Sequence, residues 1–326
     1  MTERIIRPNA GHILMPRRFV DVGMPQSRVS AKGRYQLIKR DAWGVEIERT
    51  PWFDNLILDA GLNRWGTGSI ISGAAIGTGT TAPATTDAGL ETLTHYTTTS
   101  GTGSGITVGG SPNYNNTRTF VYRTTLGSLN GNYSEVGVGW GSTTMFSRAL
   151  ILDGGGSPTT ISVTSVQQLD IVYQLSVYPP LTDWTDTVTI SGVDYAVTGR
   201  ASSVTATSGT AGSWPVSTSL IAVAIGVGGS SANAFTGALG NITSSPSGTR
   251  YEGSVTAGTD SYVNNSLQAT GYESYSLTQG NLTGGIKSTK FWWNTAAFQY
   301  EFSTAIPKDG TKTLSLNYSV TWGRRP

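Results

Sequence analysis

Leu169-Asp-Ile171-Val-Tyr173-Gln-Leu175-Ser-Val177 and Leu314-Ser-Leu316-Asn-Tyr318-Ser-Val320-Thr-Trp322 decide the fold class. In both runs large apolar or aromatic side chains alternate with small or polar ones. That period of two puts five large groups on one face of an extended chain. The same alternation, punctuated by Gly, Asn, Ser and Pro, recurs along most of the sequence, and helical periodicity is nearly absent. Tyr35–Arg40 and Val45–Arg49 flank Asp41-Ala-Trp43-Gly44 as a hairpin, and Thr187–Ile190 and Val193–Val197 flank Ser191-Gly192 as another. The chain reads as all-β.

The two runs are also copies of one another, and the likeness extends upstream. Phe146-Ser147-x-Ala149-Leu150-x-x-Asp153-Gly154 recurs as Phe302-Ser303-x-Ala305-Ile306-x-x-Asp309-Gly310. Gly127-x-Leu129-x-Gly131 with Trp140 recurs as Gly280-x-Leu282-x-Gly284 with Trp293, and Ala75-Ile76-Gly77-x-Gly79 recurs as Ala224-Ile225-Gly226-x-Gly228. Blocks repeating in the same order predict two tandem duplicated antiparallel β-sandwich domains, jelly-roll or Ig-like. The expected division is an N-terminal docking arm and hairpin over 1–68, repeat 1 over 69–180, a structured connector over 181–218 and repeat 2 over 219–326.

Composition narrows the chemistry. The 326 residues include no cysteine and two histidines, which excludes disulfide scaffolds, thiolate metal sites, cysteine nucleophiles and three-histidine centres. No serine carries glycine at both minus two and plus two, so a nucleophile elbow is absent. Gly77-Thr-Gly79-Thr-Thr-Ala82 imitates a dinucleotide fingerprint, but Pro83 follows where a helix should begin, and the glycines read as a turn. No catalytic constellation, metal site or cofactor is expected. The longest apolar stretch, Leu220–Val227, is far too short to span a bilayer. Pro8, Asn9, Gly11 and His12 interrupt any signal-peptide core, which predicts cytosolic synthesis.

Charge is uneven. Residues 1–50 carry ten Lys/Arg and five Asp/Glu, a local charge of +5, against −3 for the rest. Arg17, Arg18, Arg28, Lys32, Arg34, Lys39 and Arg40 are therefore candidate docking residues for an acidic partner surface, the bland alternative being a solvated basic arm. No helix-turn-helix or RNP pattern accompanies them, so nucleic acid is not expected. Asp183-Trp184-Thr185-Asp186 is a group suited to gripping a sugar or a calcium ion, and Trp214 is a second ring for a sugar face; the bland alternative is an acidic turn with the tryptophan packed inward.

Gly33-Arg-Tyr35, Gly44-Val45-x-Ile47-Glu48, Pro51-Trp52-Phe53-Asp54-Asn55-Leu56-Ile57-Leu58-Asp59-Ala60-Gly61-Leu62 and Gly77-Thr-Gly79-Thr-Thr-Ala-Pro83 form an ordered set. With Phe146–Leu150 and Leu169–Tyr178, this set resembles structural proteins of tailed bacteriophages, the tail fibre and minor tail protein group. The resemblance covers residues 33–178 and implies a non-enzymatic virion component: a fibre, collar or adaptor contacting other virion proteins. It further implies a homo-oligomer, a trimer or hexamer, with host surface polysaccharide as a contact and no membrane insertion. A capsid decoration or head protein and a polysaccharide-degrading tailspike are the alternatives. Exposed connector tryptophans would favour glycan binding, and buried ones scaffolding.

Overall fold

The computed structural model describes residues 21–205, 234–251, 255–259, 262–293 and 296–326. It is 52% strand and 3% helix, so the all-β expectation holds. In chain order the first strands are β1 (Asp21–Gly23), β2 (Ser27–Arg40), β3 (Glu46–Arg49), β4 (Phe53–Asp54) and β5 (Leu56–Ile57), followed by the helix α1 (Asp59–Thr67). Next come β6 (Gly73–Gly77), β7 (Leu93–Thr97), β8 (Gly105–Gly109), β9 (Asn115–Arg123), β10 (Gly131–Tyr133), β11 (Glu135–Gly141), β12 (Thr144–Leu150), β13 (Ile161–Val163) and β14 (Gln168–Tyr178). The hairpin β15 (Trp184–Ile190) and β16 (Val193–Ala201) leads to β17 (Ala234–Phe235), β18 (Thr256–Thr259), β19 (Gln268–Tyr275), β20 (Ile286–Trp293), β21 (Ala296–Ile306) and β22 (Leu314–Arg324).

A ten-stranded sheet forms one layer, with the order β18-β19-β22-β2-β14-β9-β8; β1 joins β22, and β3 and β4 join β2. The two deciding runs, β14 and β22, lie on either side of β2. β2 pairs antiparallel with β14 from Ser30↔Tyr178 to Arg40↔Gln168, and parallel with β22 from Ser27↔Val320 to Ala31↔Arg324. β14 and β22 therefore run in opposite directions. Each presents its alternating large residues to one core: Leu169, Ile171, Tyr173, Leu175 and Val177, and Leu314, Leu316, Tyr318, Val320 and Trp322, are all buried.

Two five-stranded sheets pack on that inner face, ordered β5-β12-β11-β6-β7 and β15-β16-β21-β20-β17. Aromatic rings form the contact between layers. Tyr173 meets Phe146 of β12 edge-on at 6.5 Å, and Tyr318 stacks on Phe291 of β20 at 3.9 Å and tilts against Tyr300 of β21 at 5.3 Å. The helix closes the first layer pair. Its Leu62 and Trp65 are buried, and the Trp322 indole N–H donates to the Leu62 carbonyl at 2.9 Å. One hydrophobic cluster runs through β2, both halves and the hairpin β15–β16.

The hairpins form where the sequence places them. Asp41 caps the first turn by accepting from the Trp43 and Val45 amides, and Gly44 takes φ 83°. In the second, Ser191 and Gly192 have φ 52° and 80°, the double left-handed turn that matches strand twist. The larger departure concerns residues 27–40. Read as the end of a docking arm and one strand of a hairpin, they form a single strand at the centre of the large sheet. Val29, Ala31, Gly33, Tyr35 and Leu37 all face the core. Gly33 is small because a neighbour fills its place: a Cβ there would collide with the Tyr173 ring. The residues of 181–201 likewise form an edge hairpin of a sheet rather than a separate connector, since β16 pairs with β21 from Val197↔Phe302 to Ala201↔Phe298. The Ala224–Gly228 block lies outside the described residues.

Gly61 is the tightest point of the helix. A Cβ there would meet the Phe146 backbone, with Cα at 2.8 Å, and a backbone cannot swing aside as a side chain can. Gly61→Val is expected to destabilise the fold by about 3 kcal/mol, the upper part of the overpacking range. Urea unfolding followed by tryptophan fluorescence measures it.

Candidate docking face

The outer face of the large sheet collects most of the basic residues singled out in the sequence. Along β2, Arg28, Lys32, Arg34 and Arg40 share the parity opposite to the core residues, so they form one stripe across the sheet. Arg28, Lys32 and Arg34 are exposed. Lys32 pairs with Asp54 at 2.9 Å. Arg34 donates to Gln174 at 2.7 Å and lies 4.5 Å over the Trp52 ring. Trp52 in turn covers a small outer cluster of Ile38, Val121 and Val172. Arg40 and Arg123 both bind the buried Asp170, at 2.7 and 2.6 Å. Lys39 has the inner parity, pairs with Glu48 and donates to the Ser162 carbonyl at 3.1 Å. Arg17 and Arg18 lie outside the described residues.

Beside these ion pairs the face is hydroxyl-rich. Thr117 and Ser176 hydroxyls meet at 2.5 Å, Gln174 donates to Thr119 at 3.2 Å, and Thr321 donates to the Ser27 carbonyl at 3.2 Å. At one end of the sheet the first hairpin projects Trp43, 88% exposed, with Val45 and Ile47 also exposed. A flat field of hydroxyls crossed by a line of cations and ended by an exposed indole suits contact with an extended surface.

The connector group is arranged differently. Trp184 is half-buried, with its ring edge-on to Phe298 and Tyr300 at 6.0 and 6.4 Å. It lies over Gly199, the residue opposite it in the hairpin, leaving no room there for a Cβ. Asp183 binds Arg200 through both oxygens, at 2.7 and 2.6 Å. Asp186 is exposed, and its carboxylate accepts from the Thr187 amide. The three residues are not gathered around an open ring face. Trp214 lies outside the described residues.

Two polar clusters escaped the sequence reading. Arg148 of β12 and Glu135 of β11, both buried, pair at 2.9 Å, and Arg148 also binds Asp87 at 2.6 Å and the Thr81 carbonyl at 2.9 Å. Glu135 accepts from the Gly79, Glu91 and Thr92 amides at 2.9, 3.0 and 2.7 Å. It thereby pins the ends of the long loop that follows the Gly77-x-Gly79 turn. The second cluster surrounds Lys290 of β20. Its ammonium donates to Ser203 at 2.9 Å and Ser245 at 3.1 Å, and Ser203 has a left-handed φ of 53°. Burial, aided by the charge of Arg250, pushes Lys290 from 10.5 down to about 8. Neither cluster has a local sequence signature, because the partners come from distant elements.

Among the described residues no group of three or more His, Asp or Glu is placed to hold a metal ion, and no helix is long and apolar enough to cross a membrane. No protein-family model, curated protein or solved structure matches the chain.

Glu135→Gln removes the buried one of the two carboxylates that Arg148 binds and weakens the bonds accepted from three loop amides, and a loss of about 3 kcal/mol is expected in urea unfolding. Lys290 sets a pH signature. Between about 8 and 10.5 the unfolded chain keeps a proton that the folded chain has released, so stability gains with rising pH across that window. The difference in unfolding midpoint between the native protein and Lys290→Met should therefore change in favour of the native protein from pH 8 to 10. Taking the difference cancels the tyrosines, whose raised pKa values act in the opposite sense.

Proposed function

We propose that the chain is a non-enzymatic structural component of a tailed-phage virion, tail-associated as a fibre, collar or adaptor, and built from two copies of one β-unit. The observation that carries this reading is the place of the motif residues that resemble phage tail proteins. Phe53 sits opposite Tyr35 in the large sheet, Ile57 pairs with Ser147 in the small one, and Leu62 and Trp65 plug the space between them. The Trp52–Leu62 block is thus a seam joining two layers. Gly79 of the Gly77–Pro83 stretch is held by Glu135. The motifs serve packing, and Trp184, the candidate sugar-stacking ring, is turned against the core. Both points favour a scaffolding role over glycan capture.

Duplication is supported by strand order. β8-β9-β14 and β18-β19-β22 leave β2 in mirrored sequence, and each triplet is covered by a sheet centred on a consecutive pair, β11–β12 or β20–β21. The basic stripe on β2 is the face we assign to an acidic virion neighbour, and the assembled form is a homo-oligomer, a trimer or hexamer.

Two measurements test this. In a lysate of the cell carrying the gene, the protein is expected to sediment with phage particles through a density gradient; recovery only in the soluble fraction would overturn the virion assignment. Light scattering of the purified chain, with and without residues 1–20, is expected to give one closed oligomer in both. A monomer in both would count against self-assembly.

A further inference from the structure

The uncharged edge formed by β7 and β8 is where we propose that a second copy of this chain docks, through antiparallel pairing of β8 with its own equivalent across a two-fold axis. This rests on the reading of the chain as a self-assembling subunit and names the contact.

β8 is the last strand of the large sheet. It bonds to β9 from Gly105↔Thr119 to Gly109↔Asn115, and among the described residues nothing pairs with its other edge. An open edge presents a row of unused N–H and C=O groups, and natural proteins guard such rows with charges. Two other edges are guarded, since β3 carries Glu46, Glu48 and Arg49 and β15 carries Asp186; β18, at the opposite end of the large sheet, is uncharged over Thr256–Thr259 but is followed directly by Asp260. On the β8 side there is no guard, since no Asp, Glu, Lys or Arg stands between Glu91 and Arg118. Ile106 and Val108 are 40% and 38% exposed there.

Both layers end on this side. β7 is the edge of its small sheet, and the chain passes from it to the large sheet through Ser100, bridged to Tyr122, and Gly101, whose amide donates to the Val121 carbonyl at 2.8 Å. The exposed margin is therefore two sheets deep.

The sequence of β8 selects the occupant. Gly105-Ile106-Thr107-Val108-Gly109 reads nearly the same in both directions about Thr107. Antiparallel pairing centred there sets Thr107 against Thr107 of the second copy and each Ile106 against a Val108, with glycines at the ends. Thr–Thr and β-branched pairs are favourable cross-strand neighbours. A self-complementary patch closes on a two-fold, the commonest symmetry of soluble oligomers. The result is one sheet continuous across two copies, with both basic stripes on the same outer face. A two-fold contact of this kind fits a hexamer and not a simple trimer.

The absence of cysteine makes the test direct. In the paired arrangement the two Thr107 Cβ atoms lie about 5 Å apart, within reach of a disulfide after slight adjustment. Thr107→Cys in the full chain is expected to give a disulfide-linked dimer under mild oxidation. It should form on the order of a hundredfold faster than with Thr125→Cys, another exposed threonine, because pairing raises the effective thiol concentration from about ten micromolar to millimolar. Ile106→Lys with Val108→Lys, folded by circular dichroism, is expected to halve the mass seen by light scattering. Equal cross-linking rates, or an unchanged mass in the double-lysine variant, would overturn this contact while leaving self-assembly intact. A native protein that is monomeric at tens of micromolar would remove both.

Discussion

Everything in this molecule depends on β2 being hydrogen-bonded along both edges. A strand held on one side by β14 and on the other by β22, β4 and β3 is paired along most of both edges. Its inner side chains must then be apolar, and its outer ones are free to be anything soluble. That single requirement produces both the joined core and the basic stripe. It also fixes geometry, because a strand parallel to one neighbour and antiparallel to the other forces those neighbours to run in opposite directions. The halves of the chain are consequently reversed with respect to each other within one sheet.

The interior is unusually rich in tyrosine, and each ring brings a hydroxyl that must be satisfied away from water. Distant elements supply the partners. Tyr35 reaches Ser147 at 2.6 Å, Tyr300 meets Ser27 at 2.5 Å, and Tyr318 donates to Thr289 at 3.2 Å. Burial raises all three phenols above their ordinary value of 10, so they remain neutral donors across the physiological range. These bonds cross from the large sheet to both small sheets, with β2 contributing Tyr35 to one and Ser27 to the other. Sliding one layer past another would strand several hydroxyls at once, which makes the relative placement of the layers specific rather than merely oily.

How much of this was legible in sequence follows from how local each signal is. β14 and β22 were readable because alternation over a full strand is a local pattern, and both hairpins because their turns carry Asp, Ser and Gly where the backbone needs them. β2 was legible only in its second half, Tyr35–Arg40: the inner face of its first half includes Ala31 and Gly33, the glycine being small because Tyr173 fills the space, and its outer face advertised only charge. The Asp183–Asp186 group was ambiguous for a related reason. Whether Trp184 stacks on a sugar or on Phe298 depends on Gly199, which is opposite it only once the hairpin has formed. Glu135 and Arg148 could not be matched with Asp87 or Gly79 without the sheet register.

The remaining asymmetry lies in the edges. Where a strand borders solvent, selection against aggregation places charge, as on β3 and β15, and a margin without charge on two stacked sheets is a departure from that rule. Such a margin is stable in a soluble protein only if something covers it, if it is twisted away, or if it is too short to template another chain. Gly105–Gly109 is short, but it is extended by Thr99–Gly101 on the same neighbour and backed by β7 in the next layer. The guarded hairpin edges β3 and β15 contrast with this one, which lies in a stretch free of Asp, Glu, Lys and Arg from Thr92 to Thr117. The difference is economical to explain if the bare edge is buried in the assembled state and the guarded ones are not. On the structural role proposed for the chain, the same contact would carry the sheet from one copy into the next, with the cations along both β2 strands on one outer face.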